Sequence, residues 1–376
     1  MAGVYFHIPY CKKACHYCDF HFSTNTRTRT LMVDAMVREL QLRHKSLQDQ
    51  SIETIYFGGG TPSLLSETEI RTLIHAVAQF FTIADDTEIT LEANPDDLQP
   101  ETLRALHRAG INRLSIGIQS FVDEHLRWMN RAHDAQQAKQ CIPLAREAGF
   151  LNITADLIYG FPGLSDAQWD ENISTLIALG APHISCYSLT VEPGTALYHF
   201  VESGKQAPPD DDAQVRHFLH LVERLTKAGY EHYEVSNFAL PGYRSRHNSA
   251  YWSRVPFLGI GPSAHSFTGA ERCWNIANNH QYLKSIELGE LPLTCEPVTH
   301  QTACNEYLLT GLRTAAGIDL NHVKTQWNYP VEERFAGYIQ GLVNKGRATY
   351  NQGKLKLTTE GMLWADAIAA EFFLNE

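Results

Sequence analysis

The residues that most directly imply chemistry are three cysteines within eight positions, Cys11-x3-Cys15-x2-Cys18. Thiolates are soft ligands, and three from one loop can hold a 4Fe–4S cluster while leaving its fourth iron without a protein ligand. That open position is the chemical use of the spacing, because it can accept a chelating small molecule. A zinc site of three Cys and one His is the alternative, with His7, His16 or His21 as fourth donor, since structural zinc is tetrahedral. Three unrelated thiols are a poorer reading, because cysteines this close and exposed are open to oxidation. The other five, Cys141, Cys186, Cys273, Cys295 and Cys304, are scattered and read as small buried hydrophobes.

More polar and glycine signals recur down the chain: Gly58-Gly59-Gly60-Thr61-Pro62, Glu92-Ala93-Asn94-Pro95, Gln119-Ser120, Asp156 before Tyr159-Gly160-Phe161-Pro162-Gly163, and Thr190-Val191-Glu192-Pro193-Gly194. Each could be turn chemistry taken alone. Each also ends a short β-branched run. These runs predict strands at 4–8, 54–57, 88–92, 113–118, 152–158 and 183–189, with a further extended run at 230–235. Amphipathic stretches at 32–47, 67–81, 100–109, 135–148, 167–179 and 213–228 predict the helices between and after them. Alternating β and α elements define an α/β fold with a parallel sheet, and six units fit an open partial (β/α)6 barrel better than a closed barrel of eight. Parallel sheets bind ligands at the carboxyl ends of their strands, where the cysteines and all five signals lie.

The rhythm divides the chain into a barrel at 1–240, a loop-rich segment at 241–300 that covers the site, and a small C-terminal helical, winged-helix-like domain at 301–376. The last piece has predicted helices at 303–314 and 332–345, a hairpin at 348–357 and a final helix from residue 360. Composition excludes other classes. Lys and Arg number 31 against 42 Asp and Glu in 376 residues, a net charge of −11, which argues against a nucleic-acid surface. The longest uncharged stretch, 172–191, contains Gly180 and Pro182 and cannot form a spanning helix. The N-terminus lacks the charged and apolar regions of a secretory signal, so a cytoplasmic protein is expected.

His7-Ile8-Pro9-Tyr10-Cys11-x3-Cys15-x-Tyr17-Cys18, followed by Gly58-Gly59-Gly60-Thr61-Pro62, resembles the radical S-adenosylmethionine (SAM) superfamily. Within it the chain resembles the oxygen-independent coproporphyrinogen III oxidase group, and most closely its HemW branch of haem chaperones, from Tyr5 to the C-terminal domain. The resemblance implies a 4Fe–4S cluster on Cys11, Cys15 and Cys18 whose free iron is chelated by the methionyl end of S-adenosyl-L-methionine. It implies that Tyr5 and Tyr17 line the cofactor, that Gly59, Gly60 and Thr61 cradle methionine, and that Glu92 meets its ammonium or a ribose hydroxyl. Gln119, Arg131 and Asp156 would contact a second SAM or its equivalent.

Two features separate chaperone from oxidase. The oxidase pattern has a fourth cysteine two residues after the third, where this chain has Phe20, and it has a longer extension before Tyr5. His247-Asn248-Ser249-Ala250-Tyr251-Trp252 matches the HNxxYW pattern that HemW-like proteins link to haem binding. An imidazole can ligate haem iron and the aromatics can stack on a macrocycle, although a buried histidine among core aromatics fits the same residues. Arg244, Arg246 and Arg254 flank the motif as candidate partners for porphyrin carboxylates, and His265 lies nearby. The implied function is binding haem and handing it to an acceptor protein, with a reductant serving the cluster. No nucleic acid and no membrane span are expected, and peripheral membrane contact is compatible with that role. The alternative is an enzyme, coproporphyrinogen III oxidase, which Phe20 disfavours.

Overall fold

A period of two in side-chain character sets the architecture of the computed structural model, which describes residues 1–47 and 51–375. On β1 (Ala2–Ile8), Val4, Phe6 and Ile8 are buried on one face, while Tyr5 and His7 point to the other. The chain continues through α1 (Arg29–Arg43), β2 (Ser51–Gly59), α2 (Glu67–Phe80), β3 (Thr82–Ala93), α3 (Pro100–Arg108) and β4 (Arg113–Gln119). The short α4 (Asp123–Trp128) and then α5 (Ala135–Glu147), β5 (Asn152–Tyr159), α6 (Asp166–Leu179), β6 (His183–Ser188), α7 (Ala196–Glu202) and α8 (Asp211–Lys227) follow. Strands β1 to β6 pair in parallel and in chain order. Their register sets Tyr5 beside Tyr56, Glu92 beside Ser115, and Asp156 beside Ser185, all on one face. That face is polar and lines the inside of the barrel, whereas Phe57, Leu91, Ile116 and Leu157 pack outward into the core.

The segment expected as a loop-rich cover is instead ordered sheet and helix. After the hairpin β7 (Glu231–Glu234) and β8 (Asn237–Ala239) come α9 (Arg246–Trp252), β9 (Phe257–Ile260), β10 (His265–Phe267), β11 (Glu271–Asn275), α10 (Asn279–Glu287) and β12 (Leu293–Pro297). Strand β9 joins β1 in parallel, β10 to β12 extend that edge antiparallel, and β8 pairs with β6, so the sheet has twelve strands and stays open. Strands of three to five residues are too short to show a period. The glycines that looked like loop punctuation are packing positions: a Cβ on Gly259 would lie 1.9 Å from the His265 carbonyl oxygen. Cys273 and Cys295, expected as unrelated small hydrophobes, face each other across β11 and β12 and form a disulfide.

A buried ion pair fastens this extension to the barrel. The Glu39 carboxylate of α1 is 0 % exposed and accepts from Arg43 (2.8 Å), the Gly261 amide (2.9 Å), Asn275 (2.8 Å) and the Tyr282 hydroxyl (2.6 Å). Arg43 also donates to the Gly259 carbonyl and to Ser266. Both carboxylate oxygens of Glu39 and both terminal nitrogens of Arg43 therefore have protein partners.

The C-terminal part contains α11 (His300–Leu312), β13 (Ile318–Asp319), α12 (Leu320–Trp327), α13 (Val331–Arg334), α14 (Ala336–Asn344), β14 (Ala348–Asn351), β15 (Lys354–Leu357), α15 (Thr359–Met362) and α16 (Ala365–Glu371). Helix α12 has no counterpart in the sequence reading. The hairpin turns through Gln352 and Gly353, both at positive φ, as a two-residue turn requires. No helix among the described residues is long and apolar enough to cross a membrane.

Arg43→Ala would leave Glu39 charged and unpaired in the core. It is expected to cost about 3–5 kcal/mol in urea unfolding. Arg244→Ala, which breaks an exposed pair with Glu231, is expected to cost less than about 1 kcal/mol in the same measurement.

Candidate functional site

The carboxyl ends of β2 to β6 and the cysteine loop enclose a cavity of about 410 Å³. The loop leaves β1 at a tight crossing with the end of β2. Gly60 donates to the Ile8 carbonyl (2.9 Å) and Thr61 to the Tyr10 carbonyl (2.7 Å). A Cβ at residue 60 would lie 2.6 Å from that Tyr10 oxygen, so only glycine allows the approach. Cys11 donates its amide to Ser23 and Ser23 donates to Pro9, which closes the loop at its base. Farther out, His16 donates to Met129 and Asn130 donates to Ala14. A loop with almost no regular structure is thus pinned by its neighbours, and Cys11, Cys15 and Cys18 all face the cavity as free thiols.

Eight of the other residues selected from sequence line the same space: Tyr17, Gly59, Gly60, Thr61, Glu92, Gln119, Arg131 and Asp156. Arg131 organises one wall. It donates to Cys15 Sγ (3.3 Å), the Tyr17 hydroxyl (3.4 Å), Asn94 (2.6 Å) and the Gly117 carbonyl (2.6 Å), and Asn94 in turn donates to Thr61 (3.2 Å). Opposite it, Glu92 accepts from the Tyr56 hydroxyl (2.8 Å) and the Gly59 amide (3.2 Å). Gln119 sits at the end of β4 with φ of 67°, a conformation that is uncommon for a residue with a side chain.

Burial dominates the electrostatics. It pushes the Glu92 carboxyl up to about 7, with the Asp156 charge adding and the Tyr56 hydrogen bond opposing. Burial likewise pushes Asp156 up to about 7, against the hydrogen bond from Ser185 and the attraction of Arg131. The Cys18 thiol is raised to about 12 by burial, and Cys11 is raised for the same reason. Burial opposes the charge on Arg131, but Tyr17 and Cys15 more than compensate and hold it above its ordinary value. A fixed cation therefore stands beside the Cys15 thiol. Gln119 Oε1, Asp156 Oδ1, Arg131 Nε and Ser188 Oγ are buried without partners in the wall of this cavity, as atoms that await a polar ligand would be. The donor set and these atoms fit an iron–sulfur cluster beside a polar organic cofactor. No histidine lines the cavity. Both ring nitrogens of His7 are engaged, by Tyr5 and the His21 carbonyl, so the tetrahedral zinc arrangement finds no imidazole there.

Two selected residues lie elsewhere. Tyr5 is behind the cavity wall, with its ring stacked on Tyr56 and on His247. His247 is on α9, inserted into the barrel beneath Tyr56, 2 % exposed, with Nδ1 on Thr54 (2.7 Å) and Nε2 on the Tyr251 hydroxyl (2.8 Å). Burial lowers its pKa to about 3, so it is a neutral ring without a free nitrogen. The flanking arginines are also occupied: Arg244 by Glu231, Arg246 by Glu53 and Asp86, and Arg254 by Glu306. His265 stacks on Trp274 away from the cavity. Residues the sequence reading did not single out include Tyr56, Asn94, Ser188 and Tyr187. Asn94 stood within a strand-end signal, and Tyr187 shares the inward face of β6 with Ser185, so their positions were the available clue.

Comparison with known proteins agrees with this geometry. Residues 5–176 match the Radical SAM superfamily, and residues 298–364 match the HemN C-terminal domain. The chain is 32% identical over 375 residues to a Bacillus subtilis protein named Heme chaperone HemW, covering 99% of both chains. It is 35% identical to the Mycobacterium tuberculosis protein of that name, covering 97% of this chain and 93% of the relative. It is 39% identical to the Escherichia coli one, over 70% of this chain and 69% of the relative. The solved structure of coproporphyrinogen III oxidase (HemN) from Escherichia coli superposes with a TM-score of 0.85 at 23% identity, covering 99% of this chain and 90% of that one. That likeness is one of fold. The fold and the thiol-bearing cavity are those of a radical SAM protein. Within that superfamily the chain belongs to the HemW family.

The raised Asp156 gives a pH signature. A carboxyl whose folded pKa lies above its unfolded value contributes stability that is complete at low pH and lost as pH rises through the folded pKa. In cluster-free protein, the stability of the wild type relative to Asp156→Asn is expected to fall between about pH 4 and about pH 7 and to be flat above. Thermal unfolding across that range measures the difference.

Proposed function

We propose that the protein is a haem chaperone of the radical SAM type. In this reading Cys11, Cys15 and Cys18 hold a 4Fe–4S cluster, the cavity binds SAM, and the protein binds haem and passes it to an acceptor protein. The observation that carries the reading is the convergence of three thiols, a Gly59–Thr61 backbone, Glu92 and the Arg131 guanidinium on one cavity, in a chain similar over nearly its whole length to proteins named heme chaperones. The Gly59 and Gly60 backbone, free of side chains, can lie against the methionyl group, and Glu92 can accept from its ammonium. A bound cation would favour the ionised Glu92, so binding releases the proton that burial retains. Arg131 compensates the thiolates and holds Tyr17 and Asn94 in the wall. When reduced, the cluster supplies the electron for cleavage of SAM. A reductant is therefore a required partner.

The enzymatic alternative is coproporphyrinogen III oxidation. Phe20 lines the cavity rim, 64 % exposed, where the oxidase pattern has a cysteine. An anaerobic assay of reconstituted protein with SAM and coproporphyrinogen III, run beside a haem titration, separates the two. Stoichiometric haem binding without protoporphyrinogen formation is expected, and turnover to protoporphyrinogen would replace this reading with the oxidase. Cys15→Ala is expected to abolish the broad visible absorbance and the bound iron and sulfide after reconstitution while far-ultraviolet dichroism keeps its helical signal. Undiminished iron and sulfide in that variant would remove the cluster assignment.

A further inference from the structure

Cys273 and Cys295 lie in register on β11 and β12 and are joined, while the other six cysteines are free thiols. The two sulfurs sit in different surroundings. Cys273 is 6 % exposed and shares a face of β11 with Asn275, two residues on, whereas Cys295 is exposed on β12, the outermost strand of the twelve-stranded sheet. An exposed disulfide exchanges with small thiols more readily than an enclosed one, because a thiolate must reach a sulfur in order to attack it. The rest of the chain adds a chemical constraint. Cys11, Cys15 and Cys18 can act as thiolate ligands only while reduced, and a solution that keeps these half-exposed thiols reduced also acts on an exposed disulfide.

The bond closes a ring across a sequence separation of 22 residues, and α10 lies inside that ring. This helix touches both the core and the cysteine loop. Tyr282 donates to the buried Glu39 carboxylate (2.6 Å), and Asn275, just before the helix, donates to Glu39 and to the Gly261 carbonyl (2.8 Å each). At the first residue of α10, Asn279 Oδ1 accepts from His21 Nε2 (2.7 Å), and the His21 carbonyl accepts from His7 Nε2 (2.8 Å). His21 stands three residues beyond Cys18. On the far side of the ring, β12 is held to β11 by its ladder and by a half-exposed pair of Arg272 and Glu296 (3.6 Å). Closing the ring restricts the ways in which α10 and β12 can leave the sheet, and opening it restores them.

We propose that Cys273 and Cys295 form a thiol–disulfide exchange site for glutathione-class thiols, and that its closure holds α10 against the cysteine loop. In the oxidising direction the Cys295 thiolate attacks one sulfur of glutathione disulfide, forming a mixed disulfide and releasing one glutathione thiolate. The Cys273 thiolate then attacks the Cys295 sulfur and releases the second. The two departing thiolates take up the two protons that the cysteines lost, so an electron pair passes from the protein to glutathione. Reduction runs the same steps in reverse.

The test equilibrates the full-length protein anaerobically in glutathione buffers from excess thiol to excess disulfide, traps it with N-ethylmaleimide and weighs the peptides that carry Cys273 and Cys295. Both cysteines are expected to be alkylated in excess glutathione and joined in excess glutathione disulfide. A bond that opens only in dithiothreitol, or two thiols that never pair in excess glutathione disulfide, would overturn the exchange site. Amide hydrogen exchange then compares the disulfide form with the reduced wild type and with Cys295→Ser, which cannot close the ring. About tenfold faster exchange is expected across residues 276–292 in both open forms, with a smaller rise at 19–23 and unchanged protection in β1 to β6. Exchange at 276–292 and 19–23 that is the same in all three forms would overturn the hold on the cysteine loop.

Discussion

The approach of Gly60 to the backbone of Ile8 and Tyr10 is the constraint on which the site depends. The space that a side chain would need is filled by Tyr10 O at 2.6 Å, Ile8 O at 2.7 Å and Tyr10 N at 2.8 Å. Moving the two carbonyl oxygens would break the bonds from Gly60 to Ile8 and from Thr61 to Tyr10. Gly59, at φ of 102°, adds a second restriction, since a Cβ there would strike the His7 ring at 2.7 Å. The thiol loop and the glycine run therefore leave the sheet from one fixed point. Their relative position is set by backbone contact, the least adjustable interaction available.

The barrel around them is unusual in what it points inward. A closed barrel of this class fills its interior with branched apolar layers. Here the inward face carries Tyr56, Glu92, Ser115, Asp156 and Tyr187 near the top, and Thr54, Glu88, Arg113, His183 and His247 below. The lower layer is extensively bonded: Arg113 donates to Thr154, His183 Nε2 meets the Tyr233 hydroxyl, and Glu88 accepts the Arg246 and His247 amides, while His183 Nδ1 has no partner. Unpartnered atoms of the upper layer face the cavity. Buried polar groups without partners are costly. Around the cavity a polar ligand could offset that cost.

Much of this was legible from sequence because it follows from period and position. The six parallel strands and their helices appear where alternation and amphipathicity predict them, and the strand-end signals converge because a parallel sheet brings those ends together. What was illegible depends on long-range contact. Gly259 and Gly261 look like loop residues until Arg43 and Glu39 are seen to bind their backbones from 216 and 222 positions away. The pairing of Cys273 with Cys295 needs the register of two short edge strands, which no local pattern specifies. The depth of Tyr5 was illegible for a related reason. Its inward direction was clear from alternation, but its depth, behind the cavity wall at the level of Tyr56, is decided by the register of β1 against β2.

The HNxxYW motif occupies a single short helix whose two faces meet different surroundings. On α9, residues four apart share a face, so His247 pairs with Tyr251 and Asn248 with Trp252. The first pair turns inward, where the histidine bonds Thr54 and Tyr251 and stacks under Tyr56. The second pair lines a cleft against the C-terminal domain. One helical turn thus forms the floor of the barrel on one side and the wall of a second compartment on the other. Any change at His247 must act on both at once, because its ring holds Tyr251, which touches each. The ring, with both nitrogens engaged and its charge suppressed by burial, braces Tyr251 from within the barrel.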